Sequence, residues 1–143
     1  MEIKAITALA FDFGTRRIGL AVGNSITGSS QALAPITADN DDARFAQIAN
    51  RIAEWVPDEL VVGLPCHPDG AEHVMTVKAR RFGNRLQGRF SLPIAWVDER
   101  YSSAVLENDH QFQQKHSSKR AISLDSESAR LILEQYFRER AAS

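Results

Sequence analysis

Ile6-Thr7-Ala8-Leu9-Ala10-Phe11-Asp12-Phe13-Gly14-Thr15-Arg16-Arg17-Ile18-Gly19-Leu20-Ala21-Val22-Gly23 is the stretch that decides the fold. Ile6 to Phe11 puts apolar or small groups on both faces of an extended segment, as a central strand covered on both sides requires. Asp12 ends that strand. Phe13 to Arg17 makes a short turn, so Ile18 to Gly23 should return as an antiparallel partner. A third strand is expected from Gln31 to Ile36, after the turn residues Gly28-Ser29-Ser30. Three strands therefore precede any helix.

Beyond them the apolar period changes. Phe45, Ile48, Ile52 and Trp55 recur at helical spacing, Asp39 to Asp42 supply cap candidates and negative charge at the positive end of the helix, and Pro57 closes it. Glu59 to Leu64 reads as a β-rich strand ending in a Pro-Gly turn at Pro65 to Gly70. A second helix is expected from about Ala71 to Gly88, with Met75, Ala79, Phe82 and Leu86 on one face and Gly83 inside the pattern. Pro93 to Val97 forms a strand that delivers Asp98 and Glu99 at its end, and Ser102 or Ser103 can cap a short helix after it. The polar run from about Asp109 to Ser123 reads as a loop. A last helix begins near Asp125 or Ser126, with Ala129, Ile132, Leu133, Tyr136 and Phe137 on one stripe. This order fits an α/β fold with a mixed five-stranded sheet, its first three strands antiparallel, and helices on both faces.

With 143 residues, 43% of them hydrophobic, the chain suits one domain over residues 1–143 with one real core. Seventeen Lys and Arg against eighteen Asp and Glu give a formal net charge of -1, which excludes the cationic body of a bulk DNA coater and leaves any polyanion to a local patch. Cys66 is the only cysteine, so no internal disulfide is expected, and a reducing, cytoplasmic setting follows. The short apolar segment near the start does not resemble an export signal, and no stretch approaches about 18 uninterrupted apolar residues.

Asp12 ends the first strand and Asp98-Glu99 the last. If the fourth strand lies beside the first and the fifth outside it, these ends share one edge, to which Asp125 can return from the final helix. Each acid alone has a bland reading as a turn, surface or cap residue. Gathered, they repel, so a site holding several needs a cation or raised pKa values. Oxygen ligands select Mg²⁺ or Mn²⁺, which can support phosphodiester hydrolysis. Arg16, Arg17 and Arg100 beside the acids, with Lys115, Lys119 and Arg120 in the polar loop, are candidate contacts to a nucleic-acid backbone. Lys78, Arg80, Arg81, Arg85 and Arg89 read first as a solvated helix face. His67, His73 and Cys66 lack the fourth ligand that a zinc site needs. Trp55, Trp96 and Phe82 fit core positions.

Four blocks in fixed order carry a resemblance: Phe11-Asp12-Phe13-Gly14-Thr15-Arg16-Arg17-Ile18-Gly19, Val61-Val62-Gly63-Leu64-Pro65 with Asp69-Gly70, Val97-Asp98-Glu99-Arg100, and Leu124-Asp125-Ser126 before Ala129-Arg130-Leu131-Ile132-Leu133. On these the chain resembles the YqgF family, also called RuvX, described as pre-16S ribosomal RNA nucleases or as Holliday junction resolvases. The resemblance implies an RNase H-like fold and a Mg²⁺- or Mn²⁺-dependent endonuclease in which Asp12, Glu99 and Asp125 are the metal-holding catalytic acids and Asp98 is a supporting acid. It implies processing of the 5′ end of precursor 16S rRNA in ribosome biogenesis, with structured RNA or a pre-ribosomal particle as partner and four-way DNA as the alternative substrate. Tyr101-Ser102-Ser103 departs from the family's usual Leu-Thr-Thr, and His67-Pro68 stands where an asparagine is common. Monomer and homodimer both remain open, since symmetric junction cutting calls for two sites. A noncatalytic nucleic-acid or ribosome-binding module is a further alternative. Asp12-Phe13-Gly14-Thr15 also resembles the phosphate loop of actin-like ATPases, but one chain of this length supplies only one of their two lobes.

Overall fold

The computed structural model describes residues 5–14, 16–65, 74–99 and 121–142, with side chains from 126 to 141 in the last segment. The elements are β1 (Thr7–Asp12), β2 (Arg17–Asn24), β3 (Ser30–Thr37), α1 (Asp41–Trp55), β4 (Glu59–Leu64), α2 (Val74–Phe90), β5 (Ile94–Asp98) and α3 (Ala121–Ala142). The strands form one sheet in the order β3-β2-β1-β4-β5. β1, β2 and β3 pair antiparallel, whereas β4 and β5 run parallel to β1. The sheet is thus mixed, with β4 beside β1 and β5 outside it, the arrangement on which a shared edge for the acids was conditional.

Alternation along the central strands splits the core in two. Leu9, Phe11, Leu20, Leu60 and Val62 pack against Phe45 and Ile48 of α1 and Phe82 and Leu86 of α2. Ala8, Ala10, Ala21, Val61 and Val97 pack against Ala129, Ile132, Leu133, Tyr136 and Phe137 of α3. Burying each large apolar side chain contributes about 1.5–3 kcal/mol. The three alanines let α3 approach the sheet closely. Gly23 takes this further, since a Cβ there would lie 2.9 Å from the Phe137 ring and 3.0 Å from Leu133 Cδ2.

At the head of α1, Asn40 is the cap, its side chain accepting from the Ala43 N–H at 2.8 Å. Val56, in the left-handed region at φ 47°, closes the helix by donating to the Ile52 carbonyl. Between Ile18 and Leu20 the β2–β3 register shifts. Pro35 on that edge strand has no N–H for the ladder, and within the shifted stretch the Leu20 N–H donates to Ser126 Oγ at 3.2 Å.

Three expectations need correction. α3 is already helical at Ala121, where the described residues resume, so 121–123 are helical and Asp125 lies inside the helix instead of opening it. Ala121, Ile122 and Leu124 are compatible with helix and include no breaker, and Ser126 is engaged with the sheet instead of capping. α2 runs through Gly88 to Phe90, because one glycine with open space around it costs only about 1 kcal/mol. Trp96, expected in the core, is 37% exposed and lies across Gly83. The proposed short helix after Ser102 or Ser103, and the loop as far as 120, fall outside the described residues. Among the described residues no helix is long and apolar enough to cross a membrane.

Candidate active site at the carboxyl edge of the sheet

The parallel register brings three strand ends to one edge. Asp12 is the last residue of β1, Leu64 of β4 pairs with Asp98 of β5, and Glu99 follows immediately. Alternation places Asp12 on the same face as Ala8 and Ala10, toward α3. Glu99 reaches that face over β4. A Cβ on Gly63 would lie 3.0 Å from Glu99 Cδ and 3.2 Å from its Cγ, so the absence of a side chain at 63 is what lets the carboxyl rest against the sheet.

Electrostatics report the same convergence. Burial first, and then the negative charges of Asp12 and Asp98, push the Glu99 carboxyl up from an ordinary 4.5 to about 8. Removal from water disfavours the charged form of Glu99, and the charges of Asp12 and Asp98 add to that in the same direction. Without a cation at neutral pH, Glu99 therefore holds a proton.

α3 completes this edge. Ser126, fully buried, accepts from the Leu20 N–H, and Leu20 is paired with Phe11, the residue before Asp12. This tether holds the backbone of α3 beside the end of β1 only one residue after Asp125. Helical periodicity puts position 125 on the stripe of Ala129, Ile132 and Leu133. The Asp125 side chain lies outside the described set. Further along, buried Gln135 donates to the Asp98 carbonyl at 3.2 Å and to Glu139 at 3.1 Å, fastening α3 to the end of β5. Tyr136 donates to Glu59 Oε1 at 2.6 Å, and burial, with the Glu59 carboxylate beside it, pushes the phenol up to about 12.

Of the residues singled out in the sequence, Asp12, Asp98 and Glu99 come together. Position 125 is carried to the same edge by the backbone of α3. Arg16 and Arg17 are exposed at the entry to β2, on this edge. Arg100, Lys115, Lys119 and Arg120 lie outside the described residues, as do Cys66, His67 and His73. Sequence reasoning missed Gly63, Ser126 and Gln135 as supports of the site. Only Gly63 carried a local signal, a glycine inside an otherwise β-branched strand. Among the described residues no group of three or more His, Cys, Asp or Glu is gathered closely enough to hold a metal ion by itself; the donors at this edge are carboxylate oxygens, the type a hard divalent cation takes.

A family model described as "RuvX: Holliday junction resolvase" matches residues 6–139. A protein of Polynucleobacter necessarius subsp. necessarius, provisionally named a pre-16S rRNA nuclease, is 58% identical over 137 residues, covering 96% of this chain and 88% of its own length. A Burkholderia lata protein with the same name is 54% identical over 130 residues, covering 91% and 87%. Among solved structures, the fowlpox virus Holliday junction resolvase superimposes with a TM-score of 0.52 at 12% identity, covering 94% of this chain and 99% of that one. T. thermophilus RuvC in complex with a Holliday junction substrate gives a TM-score of 0.51 at 14% identity, covering 95% and 96%. At these identities the two structures establish the RNase H-like fold alone. With a family match that spans all five strands and relatives sharing more than half of its residues, this chain belongs to the RuvX family.

Proposed function

We propose that this chain is a nuclease that hydrolyses phosphodiester bonds of precursor 16S rRNA, using Mg²⁺ or Mn²⁺ held by Asp12, Glu99 and Asp125. The observation that carries the reading is the acid cluster itself: Glu99, half-buried at the strand edge over Gly63, has its carboxyl pushed up to about 8 by removal from water first and then by the charges of Asp12 and Asp98. A purely structural edge would not gather like charges at that cost. The names of the relatives supply the RNA, and the cytoplasm is the compartment where such a precursor is met.

Within this proposal each group has a task. Asp12 stays at the strand end as a fixed carboxylate. Glu99 would hold the cation as a carboxylate, and Gly63 leaves that carboxyl its room against the sheet. Ile132 and Val97, both buried, close the sheet side of the site to water. Gln135 fixes the peptide from which Glu99 departs. When bound, the metal supplies Lewis acidity that polarises the scissile phosphate and lowers the pKa of an attacking water. Arg16 and Arg17 beside the acids, with Arg100, Lys115, Lys119 and Arg120 further along the chain, supply cationic neighbours for the backbone phosphates. The products carry a 5′-phosphate.

Resolution of four-way DNA is the second reading, favoured by the description of the family model. Parallel cleavage of precursor 16S rRNA and a synthetic four-way junction, with and without Mg²⁺, separates the two. The rRNA should be cut only with metal, and Asp12→Asn should abolish cutting while leaving the protein folded. Symmetric cutting of the junction with the rRNA left intact would transfer the assignment to DNA, and an active Asp12→Asn protein would remove the acids from the chemistry.

A further inference from the structure

On the side of the sheet away from α3, a cleft of about 270 Å³ lies between α1 and α2, lined in part by Phe13, Arg44, Phe45, Lys78, Arg81 and Arg85. It begins where the acid cluster ends. Phe13 follows Asp12 directly, and alternation turns the two side chains to opposite faces of the same sheet edge. The Phe13 ring packs on Phe82 of α2 with centroids 5.0 Å apart, forming the floor of the cleft.

The charge that α2 brings there has one sign. From Val74 to Phe90, α2 carries Lys78, Arg80, Arg81, Arg85 and Arg89 and no acid. Among the described residues the carboxylate lining the cleft is Asp41, and it is answered by Arg85 at 2.9 Å and Arg44 at 3.3 Å. Lys78 and Arg81 are exposed and make no ion pair with a described residue. A merely solvated helix face normally mixes signs, because like charges at neighbouring turns repel. Here the repulsion is built in. The guanidinium carbons of Arg85 and Arg89 sit 4.7 Å and 4.4 Å from the centre of the Phe45 ring, which anchors both cations on the same side of α2. Lys78, Arg81, Arg85 and Arg89 follow one another at helical spacing, a basic stripe about 16 Å long.

We infer that this stripe binds the phosphate backbone of the single-stranded RNA flanking the cut, so that the strand crosses the sheet edge from the acids to the α1–α2 cleft. The inference rests on the nuclease reading for the identity of the ligand but on its own residues for the site. Sites for single strands combine a basic track for the backbone with aromatic side chains, and this cleft has both in Lys78, Arg81 and Arg85 beside Phe13 and Phe45.

The test measures binding without divalent metal, so that nothing is cut. A fluorescein-labelled single-stranded RNA from the 5′ flank of 16S rRNA is titrated with the full chain at several KCl concentrations, and log Kd is plotted against log salt. Single-stranded binding loses a slope of about 0.7 per phosphate contact, so the double substitution Lys78→Ala with Arg81→Ala should reduce the slope by about 1.4 and weaken binding at every salt concentration. Arg138→Glu, an exposed change on α3, should leave the slope where it was. An unchanged slope in the double variant, an equal loss in Arg138→Glu, or competition by polyglutamate as strong as by unlabelled RNA would overturn the inference. If the wild type cleaves rRNA yet the double variant keeps its slope, the groove fails and the nuclease stands. If the slope falls but the wild type cuts nothing with metal, the groove stands and the nuclease fails.

Discussion

Loading the site with Mn²⁺ should expel a proton, and the amount follows from Glu99. Its carboxyl is pushed up to about 8 by burial, then by Asp12 and Asp98. At pH 7 a group with that pKa is about nine-tenths protonated, and at pH 9 about one-tenth, so metal entry should release about 0.9 proton at pH 7 and about 0.1 at pH 9. Apparent affinity should rise roughly tenfold per pH unit up to about pH 8 and then level off, about 1.4 kcal/mol for each tenfold step. Stability of the metal-free protein should move the other way. A carboxyl raised in the folded state favours folding fully while pH is below its ordinary 4.5, and that contribution is lost as pH climbs through about 8. Titration calorimetry in two non-chelating buffers of different ionisation enthalpy measures the released protons directly. Tight Mn²⁺ binding at pH 7 with no proton release would refute the reasoning, because it would mean that Glu99 is already ionised and that neither burial nor its neighbours governs it.

Gly63→Ala should lower kcat by about tenfold to a hundredfold while reducing stability by only about 1–3 kcal/mol, since the flexible Ile132 Cδ1 can swing away from the new methyl but Glu99 can move only by leaving its seat. Steady-state cleavage alongside urea denaturation checks it, and an unchanged kcat would show that the seat is immaterial. Ser126→Ala strands the Leu20 N–H in a buried position and should cost about 1–3 kcal/mol, read as a lower denaturation midpoint with unchanged m-value. Gly83→Ala places a methyl carbon 2.3 Å from the Trp96 ring, so the half-exposed indole must move; a loss of about 1–3 kcal/mol with altered Trp fluorescence is expected, and a silent substitution would contradict that packing.

The sheet was legible because its central strands are apolar on both faces, and its order followed from a hairpin start and helical crossovers that must return parallel. Asp12 and Glu99 were legible for the same reason, as acids where apolar strands stop. The helical state of 121–125 was not, because Ser126 looks like a cap until its long-range partner Leu20 is known. Trp96 was misplaced because an aromatic residue in an edge strand takes its environment from the helix above it, and the space over Gly83 is visible only once α2 is docked. The basic face of α2 was read as solvated because sequence spacing cannot show Phe45 of α1 lying beneath Arg85 and Arg89.

The supports of the acid cluster share one property that explains both why they escaped the sequence and why the site can exist. Asp12, Asp98 and Glu99 oppose one another, so local preference alone would let the ends of β1 and β5 splay. They are held by contacts from elsewhere in the chain: Gln135 on the Asp98 carbonyl, Ser126 on Leu20 beside β1, and Ile132 packed over Gly63 and the Glu99 side chain. All three are supplied by α3, the helix that also carries Asp125, and its apolar stripe is buried against the sheet independently of the acids. The repulsion is therefore set against a core that does not depend on it. A cation that neutralises the cluster should then tighten α3 against β1 and β5 more than it alters α1 or α2, a difference that amide hydrogen exchange along the helices would resolve.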